Sequence, residues 1–421
     1  MTSKSCYVYI QLPGLFTPVT CGKFEREILR DGGAVGRFVY GKSYRSRLDA
    51  VPIDPYHLPL AKEQYETVKL GGIFGALRDA SPDAWGRRII ENFQGRTDLD
   101  EMDYLLLAPE DRVGALSFGR GQSPPAPVQR FNRILQLAEL RSAAETLGSI
   151  SAGEPVPLQI QQLADPGSSL GGARPKNVVE DDTGLWIAKF PQRGDRWNYA
   201  VVEAGMTTLA ARCGIRVPEI RVELVSGGYI LLVRRFDRER TPKGYRRHRF
   251  VSAPTVLDAE DAISERTNWS YLLLADELQR WSLQPAADKV ELFRRVVFNA
   301  LISNTDDHPR NHALVAPGKD CRLAPAYDLT PTPSHSIELR SLALECGVFG
   351  RMARRDNLLS GAARFGLDRQ AASAIIDHLY QVVAGGWTAE VRRHGATEQD
   401  CIAIAPAFTY AGFEYPTPPD S

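Results

Sequence analysis

A polar loop around residue 306 carries the side chains whose types and spacing best suit chemistry. Asp306 and Asn311 lie in this loop, and Asp328 follows after two short predicted strands, 312–316 and 321–329. If these strands pair around the turn between them, Asn311 and Asp328 lie side by side at the base of the hairpin. An amide oxygen and a carboxylate are hard ligands suited to Mg²⁺ that also binds phosphates. The pattern therefore predicts a magnesium site at Asn311 and Asp328.

The other parts of a phosphoryl-transfer site precede this loop in the chain. Asp306 and Asn311 have the Asp-x-x-x-x-Asn spacing of a protein-kinase catalytic loop. Lys189 lies in the middle of a predicted strand, and Glu203 lies on a predicted helix, 199–212. In kinases such a pair holds the α- and β-phosphates, while the loop aspartate orients the attacking hydroxyl and accepts its proton. We therefore predict Asp306, Lys189 and Glu203 as catalytic residues.

Three regions are expected to surround ATP. The run 165–176 is rich in glycine, but Gly172 is followed by Ala173 rather than by the Lys-Ser/Thr of a Walker loop. A strand that ends near residue 236 predicts a hinge whose backbone groups face adenine. The third region is the polar loop with its downstream aspartate. The predicted ATP contacts are Gly171, Gly172, Ala173, Lys176, Lys189, Arg234, Arg235, Phe236, His308, Asn311, Tyr327 and Asp328.

The polar loop also has a metalloenzyme interpretation. His308 and His312 have the i, i+4 spacing of a helical zinc site. Pro309 disfavours that helix, and the glutamate that follows the first histidine of zinc proteases is absent. We instead expect His308 to contact ATP or to fix the loop, and Asp307 to cap or solvate the turn.

The remaining patterns predict an α+β protein. Strand-like segments such as 6–12 precede a proline-rich linker, 119–127. Ser81 is predicted as the N-cap of a helix with Pro82 at its first position, and a further helix is predicted at 131–147. The predicted domains are an N-terminal α+β domain at 1–122, a kinase N-lobe-like region with the Gly-rich loop, lysine strand and hinge at 123–236, and a mainly helical C-lobe with the catalytic loop at 237–421.

Composition indicates a soluble globular protein of two or three domains. The 421 residues exceed what one hydrophobic core usually supports. Lys+Arg and Asp+Glu both total 51, so no basic surface for direct nucleic-acid binding is indicated. Six dispersed cysteines lack the spacing of zinc or disulfide sites, and no segment resembles a signal peptide or a membrane span. We therefore expect a cytoplasmic protein that does not bind membranes.

Six segments, in order along nearly the whole chain, resemble the HipA family of bacterial toxin–antitoxin kinases. They are DRVGALSF at 111–118, SLGGARPK at 169–176, WIAKFP at 186–191, RFDR at 235–238, NTDDHPRN at 304–311 and YDL at 327–329. Any one of these motifs is weakly specific, but six in the same order are strongly so. The resemblance implies a protein-kinase-like, two-lobed HipA fold with a small N-terminal α/β domain and a mainly helical C-terminal lobe.

The resemblance also implies an activity and its partners. A HipA kinase uses ATP and Mg²⁺ and phosphorylates a serine of its own Gly-rich loop, which switches the enzyme off. The matching residue is Ser169, or Ser168 beside it. A small helix-turn-helix antitoxin, similar to HipB, would hold the toxin and bring it to operator DNA. The known substrate class is the aminoacyl-tRNA synthetases, whose inactivation stalls translation and growth.

Three other functions compete with an active serine/threonine kinase toxin. A catalytically silent HipA-like pseudokinase would act as a binding module and co-repressor with the antitoxin, and it would incorporate no label from ATP. A kinase of small molecules would use the same catalytic parts and differ only in its substrate. A hydrolase triad of Ser169, His308 and Asp328 would leave the lysine of the predicted strand without a role.

Overall fold

The computed structural model describes residues 2–126, 131–157, 160, 174–260, 263–334, 336, 339–408 and 410–416. The chain forms two compact units. The first comprises Met1–Gln192, Arg234–Thr255 and Val315–Lys319, and the second comprises Arg193–Val233, Val256–Leu314 and Asp320–Ser421. The three domains expected from the sequence, with boundaries at 122 and 236, stay a prediction.

Helices and strands mix along the chain, which confirms the predicted α+β class. The strands are β1 Thr2–Ile10, β2 Val19–Ile28, β3 Ala34–Tyr40, β4 Tyr65–Thr67, β5 Leu116–Gly119, β6 Asn132–Arg133, β7 Lys176–Glu180, β8 Leu185–Lys189, β9 Ile220–Val225, β10 Gly228–Arg234, β11 Arg238–Thr241, β12 Gly244–Arg247, β13 Arg249–Ser252, β14 Ala313–Ala316 and β15 Arg322–Leu323. The helices are α1 Lys42–Arg45, α2 Gly75–Arg78, α3 Ala84–Gln94, α4 Glu101–Leu107, α5 Leu137–Ser149, α6 Tyr199–Arg212, α7 Ala253–Val256, α8 Tyr271–Trp281, α9 Pro285–Leu301, α10 Arg355–Ser360, α11 Arg369–Arg393 and α12 Glu398–Ile404.

An antiparallel sheet with the strand order β4-β3-β2-β1-β5 forms the amino-terminal part of the first unit. Its core face follows the period of two that strands require: Cys6, Val8 and Ile10 of β1 are all buried. Gly36 lies where the β3 backbone meets another segment, because a Cβ atom there would come within 2.2 Å of the Gly72 carbonyl oxygen. Only glycine permits that close approach.

The helix near residue 84 begins later than the sequence predicted. Its N-cap is Asp83, whose carboxylate accepts a hydrogen bond of 2.7 Å from the Gly86 amide, so the assignment of Ser81 as the cap was wrong. Aspartate caps helices as well as serine does, and Asp83 lies two residues further along the chain. The helix predicted at 131–147 likewise begins only at Leu137, because the preceding residues pair as β6 with β7.

The second unit positions the polar loop on packed helices. Helix α6 has the predicted bounds, and it crosses α11 closely at Gly205, where a Cβ would lie 2.7 Å from a Val391 methyl. Helix α9 begins with Pro285 at its first position and is buried over most of its last three turns, ending at Leu301. The polar loop therefore leaves a rigid, buried element.

The carboxyl-terminal half contains more strand than predicted. Strands β11 and β12 pair as a hairpin, and β13 follows them, in a region that had been predicted as mainly helical. The strand predicted at 321–329 was too long: only Arg322–Leu323 is regular, since Ala326 donates its N–H to the Arg216 carbonyl instead. Among the described residues, no helix combines the length and the apolar character that crossing a membrane requires.

We expect Gly205→Ala to destabilise the protein by about 1–3 kcal/mol, since the new methyl would overlap Val391 at the crossing of α6 and α11. Gly385→Ala is the matched control, because a Cβ at this exposed position of α11 meets no atom within 4 Å. There the exchange should raise the free energy of unfolding by about 0.5–1 kcal/mol through helix propensity. Urea unfolding of both variants tests this pair, and equal effects would contradict the close crossing.

Candidate active site

The polar loop turns sharply after α9. Ser303 adopts a left-handed conformation with φ of 53°, and the Asn304 amide donates to the Asn299 carbonyl at 2.8 Å. A single 3-10 turn, Pro309–Asn311, closes the loop, with the Asn311 amide donating to the His308 carbonyl at 2.9 Å. Proline lacks an N–H and begins this turn at its first position, which keeps the loop from continuing as an α-helix.

The two ends of the Asp-x-x-x-x-Asn segment meet across this turn. The Asp306 side chain is exposed, whereas Asn311 is buried. The Asn311 amide nitrogen donates to the Asp306 carbonyl oxygen at 3.4 Å. Because the nitrogen of the amide faces the loop backbone, its oxygen is the atom that remains to bind a cation.

Asp328 belongs to a segment that hydrogen bonds tie to this loop. Its backbone is left-handed, with φ of 56°, and its carbonyl accepts from the Asn304 side-chain amide at 3.4 Å. The neighbouring Tyr327 hydroxyl donates to the carbonyl of Arg310 at 2.8 Å. The segments that contain the two predicted metal ligands are therefore bonded to each other within the second unit, and the hydroxyl of Tyr327, predicted to contact ATP, binds the main chain.

Asp307 is a buried anchor, and the expectation that it caps or solvates the turn was wrong. One oxygen of its carboxylate accepts hydrogen bonds from the Tyr271 hydroxyl, from the Asn299 amide at 2.7 Å and from His312 Nε2 at 2.7 Å. Burial acts to raise the pKa of this carboxyl, but the charge of His312 and the bonds from His312 and Tyr271 hold it below its ordinary value. Burial and the charge of Asp307 raise the pKa of the Tyr271 hydroxyl well above its ordinary value.

The geometry does not support the zinc interpretation of this loop. The turn Pro309–Asn311 separates the two histidines, and His312 directs Nε2 to Asp307. Within the described ranges, no group of three or more His, Cys, Asp or Glu side chains is arranged as a metal site. Amide and carboxylate oxygens, as on the predicted ligands Asn311 and Asp328, suit a hard cation with phosphate ligands better than they suit zinc.

Two predicted ATP contacts, Lys176 and Lys189, lie opposite each other in the first unit. Strands β7 and β8 pair antiparallel with Lys176 facing Lys189. The Lys176 side chain is 3% exposed, and its ammonium contacts the Asp83 carboxylate at 2.6 Å, the same carboxylate that caps α3. Lys189 ends β8 and is half-buried. Lys176 thus forms a buried ion pair rather than an open phosphate contact, while Glu203 is buried on α6 of the second unit.

The predicted hinge residues make structural contacts. Arg234 donates to the Thr183 hydroxyl at 2.6 Å and lies over the ring of Trp186, with 5.0 Å to its centroid. Arg235 is buried, and its backbone N–H donates to the Leu185 carbonyl at 3.0 Å, so that N–H is not directed to an adenine. The Phe236 carbonyl is 3.2 Å from a ring nitrogen of His248.

The RFDR segment binds the DRVGALSF segment within the first unit. Arg235 donates to the Asp111 carbonyl at 2.6 Å, Arg238 donates to the Gly114 carbonyl at 3.0 Å, and the Gly114 amide donates to Asp237 at 2.9 Å. Burial alone would raise the pKa of Asp237, but the charges of Arg235 and Arg238 lower it far below its ordinary value. Two of the six motifs therefore serve to join strands and loops of this unit.

Several predicted residues lie outside the described part of the chain. They are the Gly-rich loop residues Ser168, Ser169, Gly171, Gly172 and Ala173. Sequence reasoning in turn missed Tyr271, Asn299 and Asn304, which form the hydrogen bonds around Asp307 and Asp328. A signal existed for the asparagines, since Asn299 interrupts an otherwise apolar stretch at the end of α9.

Comparisons with known proteins cover most of the chain. Family models match residues 21–119 (HipA N-terminal domain) and 168–387 (HipA-like C-terminal domain). "Putative kinase Y4mE" of Sinorhizobium fredii is 28% identical over 345 residues, which are 77% of this chain and 78% of that protein. "Putative kinase Y4dM" of the same organism is 33% identical over 172 residues, 37% of this chain and 39% of that protein.

A solved structure shares the fold. A chain of the complex of HipA, HipB and operator DNA from the Shewanella oneidensis MR-1 toxin–antitoxin system has a TM-score of 0.67 to this chain. The match covers 96% of each chain at 17% sequence identity. The two-lobed HipA-like fold expected from the sequence is thereby confirmed.

The ion pair between Lys176 and Asp83 yields a stability prediction. Lys176→Met should lower the free energy of unfolding by about 3–5 kcal/mol, since it leaves a buried carboxylate without its cation. Adding Asp83→Asn should restore much of that loss, because asparagine also caps helices and no charge stays buried. Arg96→Met, which removes an exposed pair with Asp98, is the control and should change stability by less than about 1 kcal/mol. Equal losses for Lys176→Met and Arg96→Met in urea unfolding would contradict this assignment.

Proposed function

The chain belongs to the HipA family, and on that premise we propose that it is an ATP-dependent serine/threonine protein kinase that acts as a growth-inhibiting toxin. The observation that carries the proposal is the loop of the second unit. There, the buried Asn311 donates to the carbonyl of Asp306, whose side chain is exposed. The same loop is hydrogen-bonded to the segment of Asp328 through Asn304 and Arg310. Phosphoryl transfer depends mainly on positioning and on charge neutralisation, and the side chains of Asp306, Asn311 and Asp328 supply both.

The proposed metal ligands are Asn311 and Asp328. The buried Asn311 amide uses its nitrogen within the loop, which leaves an oxygen as the donor atom. The carboxylate of Asp328 adds a negative charge, and such a pair of oxygen ligands suits Mg²⁺. When bound, Mg²⁺ would neutralise the charge that develops on the phosphates.

The remaining proposed roles follow from charge. The exposed carboxylate of Asp306 orients the hydroxyl of a serine or threonine and accepts its proton. The hydroxyl oxygen forms a bond to the γ-phosphorus of ATP, the bond from that phosphorus to the β,γ-bridging oxygen breaks, and ADP leaves with the electron pair. Lys189 holds the α- and β-phosphates, and Glu203 keeps its proposed catalytic role. Lys176, also predicted to contact ATP, forms a buried ion pair with Asp83.

Regulation and partners complete the proposal. Ser169, or Ser168, would be the autophosphorylation site. The related complex from Shewanella oneidensis contains HipA, HipB and operator DNA, which supports a small helix-turn-helix antitoxin as the partner through which this chain reaches DNA. An aminoacyl-tRNA synthetase is the proposed class of protein substrate.

Asp306→Asn tests the proposal directly. Purified wild-type protein with γ-labelled ATP and Mg²⁺ should incorporate label, and loss of the catalytic carboxylate should reduce the rate by about 10²–10⁴-fold. Thermal stability should stay within the error of the measurement, because the Asp306 side chain is exposed. Phosphopeptide mapping of the wild-type product identifies the modified serine.

Asp320→Asn is the matched control for this experiment, since Asp320 is an exposed aspartate of the same unit in the β14–β15 turn. It should incorporate label at the wild-type rate. An unchanged rate in Asp306→Asn would remove Asp306 from its role. No label in the wild-type protein would favour the silent pseudokinase.

The metal site has its own test in nucleotide binding. Asp328→Asn removes a charge but tolerates the left-handed backbone of this position, so the fold should persist. We expect a roughly 10- to 100-fold weaker affinity for a fluorescent ATP analogue at fixed Mg²⁺. Chelation with EDTA should weaken binding to the wild-type protein to a similar extent. Binding that is insensitive both to EDTA and to Asp328→Asn would contradict the proposed ligands.

A further inference from the structure

We propose that a buried hydrogen-bond network, which runs from Tyr271 through Asp307, Asn299 and Asn304 to the main chain of Asp328, holds the catalytic loop in its reactive geometry. Its members are positioning residues, since they act through Asp306, Asn311 and Asp328. The inference rests on the proposed kinase function, and it adds a structural basis for the precision of that site.

Asp307 collects donors from three separate elements. Tyr271 is the first residue of α8, Asn299 lies in the last turn of α9, and His312 directly precedes β14. Each of them donates to the same carboxylate oxygen, and all of these residues are buried. Hydrogen bonds to a buried carboxylate are among the stronger ones in proteins. Removing one destabilises the folded state, because the buried charge then has fewer donors to offset its loss of hydration. The carboxylate therefore fixes the distance between the three elements.

Asn299 extends this anchor toward the metal-binding segment. Its amide nitrogen donates to Asp307 at 2.7 Å, and its oxygen accepts from the Asn304 amide at 3.1 Å. The Asn304 amide also lies 3.4 Å from the Asp328 carbonyl oxygen. A side chain at position 299 must thus donate at one end and accept at the other, which a neutral amide does and a carboxylate or an aliphatic group does not.

The hydrogen-bonded residues Asp307 and His312 are sequence neighbours of two residues that have proposed chemical roles. Asp306 directly precedes Asp307, and Asn311 directly precedes His312. Asp307 and His312 are bonded to each other, so the two residues with proposed chemical roles each lie one peptide unit from an anchored residue. A peptide unit spans about 3.8 Å between Cα atoms and is nearly rigid, which transmits the fixed position of the anchor to its neighbour. Asp328 is held by the other end of the network.

Two variants and one control test this inference. Tyr271→Phe removes one donor to Asp307 and keeps the ring that packs on His312 with 5.5 Å between centroids. Asn299→Leu removes both links of the amide at similar volume. Tyr410→Phe is the control, because it removes another buried tyrosine hydroxyl of the same unit, one that donates to the Ala353 carbonyl.

The readouts are the autophosphorylation rate constant at saturating ATP, the ATP concentration for half-maximal rate, and hydrogen exchange of the peptide 303–312. Tyr271→Phe should lower the rate constant by about 10-fold and Asn299→Leu by about 100-fold, the scale of a misplacement of about 1 Å. The half-maximal ATP concentration should change less than about 3-fold in Tyr271→Phe, and loop amides should exchange faster in both variants. Tyr410→Phe should lower thermal stability without these effects.

The outcomes separate this inference from the proposed function. An equal fall in rate in Tyr271→Phe and Tyr410→Phe would mean that general stability explains the loss, and the inference would be overturned. Unchanged loop exchange in Tyr271→Phe would overturn it as well, whether or not the protein is active. A wild-type protein without label incorporation would reject the proposed function alone, and faster loop exchange in both variants would still support the network as the anchor of this loop.

Discussion

The buried carboxylate of Asp307 is the constraint on which the geometry of the second unit depends. A charge in this position is tolerated only because three donors surround it, and each donor comes from a different element of the unit. Moving any of these elements would leave a buried charge with fewer partners, which is costly, so the elements stay in register. The side chain of Asp306, the preceding residue, can then stay exposed and available for chemistry.

The first unit uses buried charge in a comparable way. Lys176 begins β7 directly after the Gly-rich stretch, and its ion pair with Asp83 connects that strand to the cap of α3. Asp237 similarly lies between Arg235 and Arg238, whose guanidinium groups also bind carbonyls of residues 111–114. Buried polar pairs of this kind add little net stability compared with apolar packing, but only one arrangement satisfies them. They therefore specify how segments distant in sequence fit together.

Local patterns were enough to predict much of this architecture. The helix predicted at 199–212 has the bounds of α6. Membership of the HipA family, first indicated by six short motifs, is confirmed by the family models. In the site, the Tyr327 hydroxyl donates to the Arg310 carbonyl and the Asn304 amide donates to the Asp328 carbonyl, so the loop and the downstream segment are hydrogen-bonded to each other. The roles of Asp306, Asn311 and Asp328 stay a prediction.

The errors have a common physical origin in tertiary partners. The strand predicted to reach residue 329 stops early because the Ala326 N–H donates to the Arg216 carbonyl, and Lys176 forms an ion pair with Asp83 that the sequence did not predict. No local periodicity reports such partners, since they are more than 90 residues away in both cases. The strands β11–β13 have short sequences that do not alternate clearly between polar and apolar residues, so no local pattern predicted them.

The acidic pair in the loop shows what decides the role of a side chain. Asp306 and Asp307 are identical in chemistry and adjacent in sequence, yet one is exposed and the other is 1% exposed with three donors on one oxygen. A carboxylate that must accept a proton and contact a substrate needs open space around it, whereas one that must fix a backbone needs all of its surroundings occupied. A single side chain cannot meet both demands, so two consecutive aspartates have separate roles. The hydrogen bonds of Asp307 fix the backbone of the loop, and the fixed backbone holds the exposed Asp306 in one position.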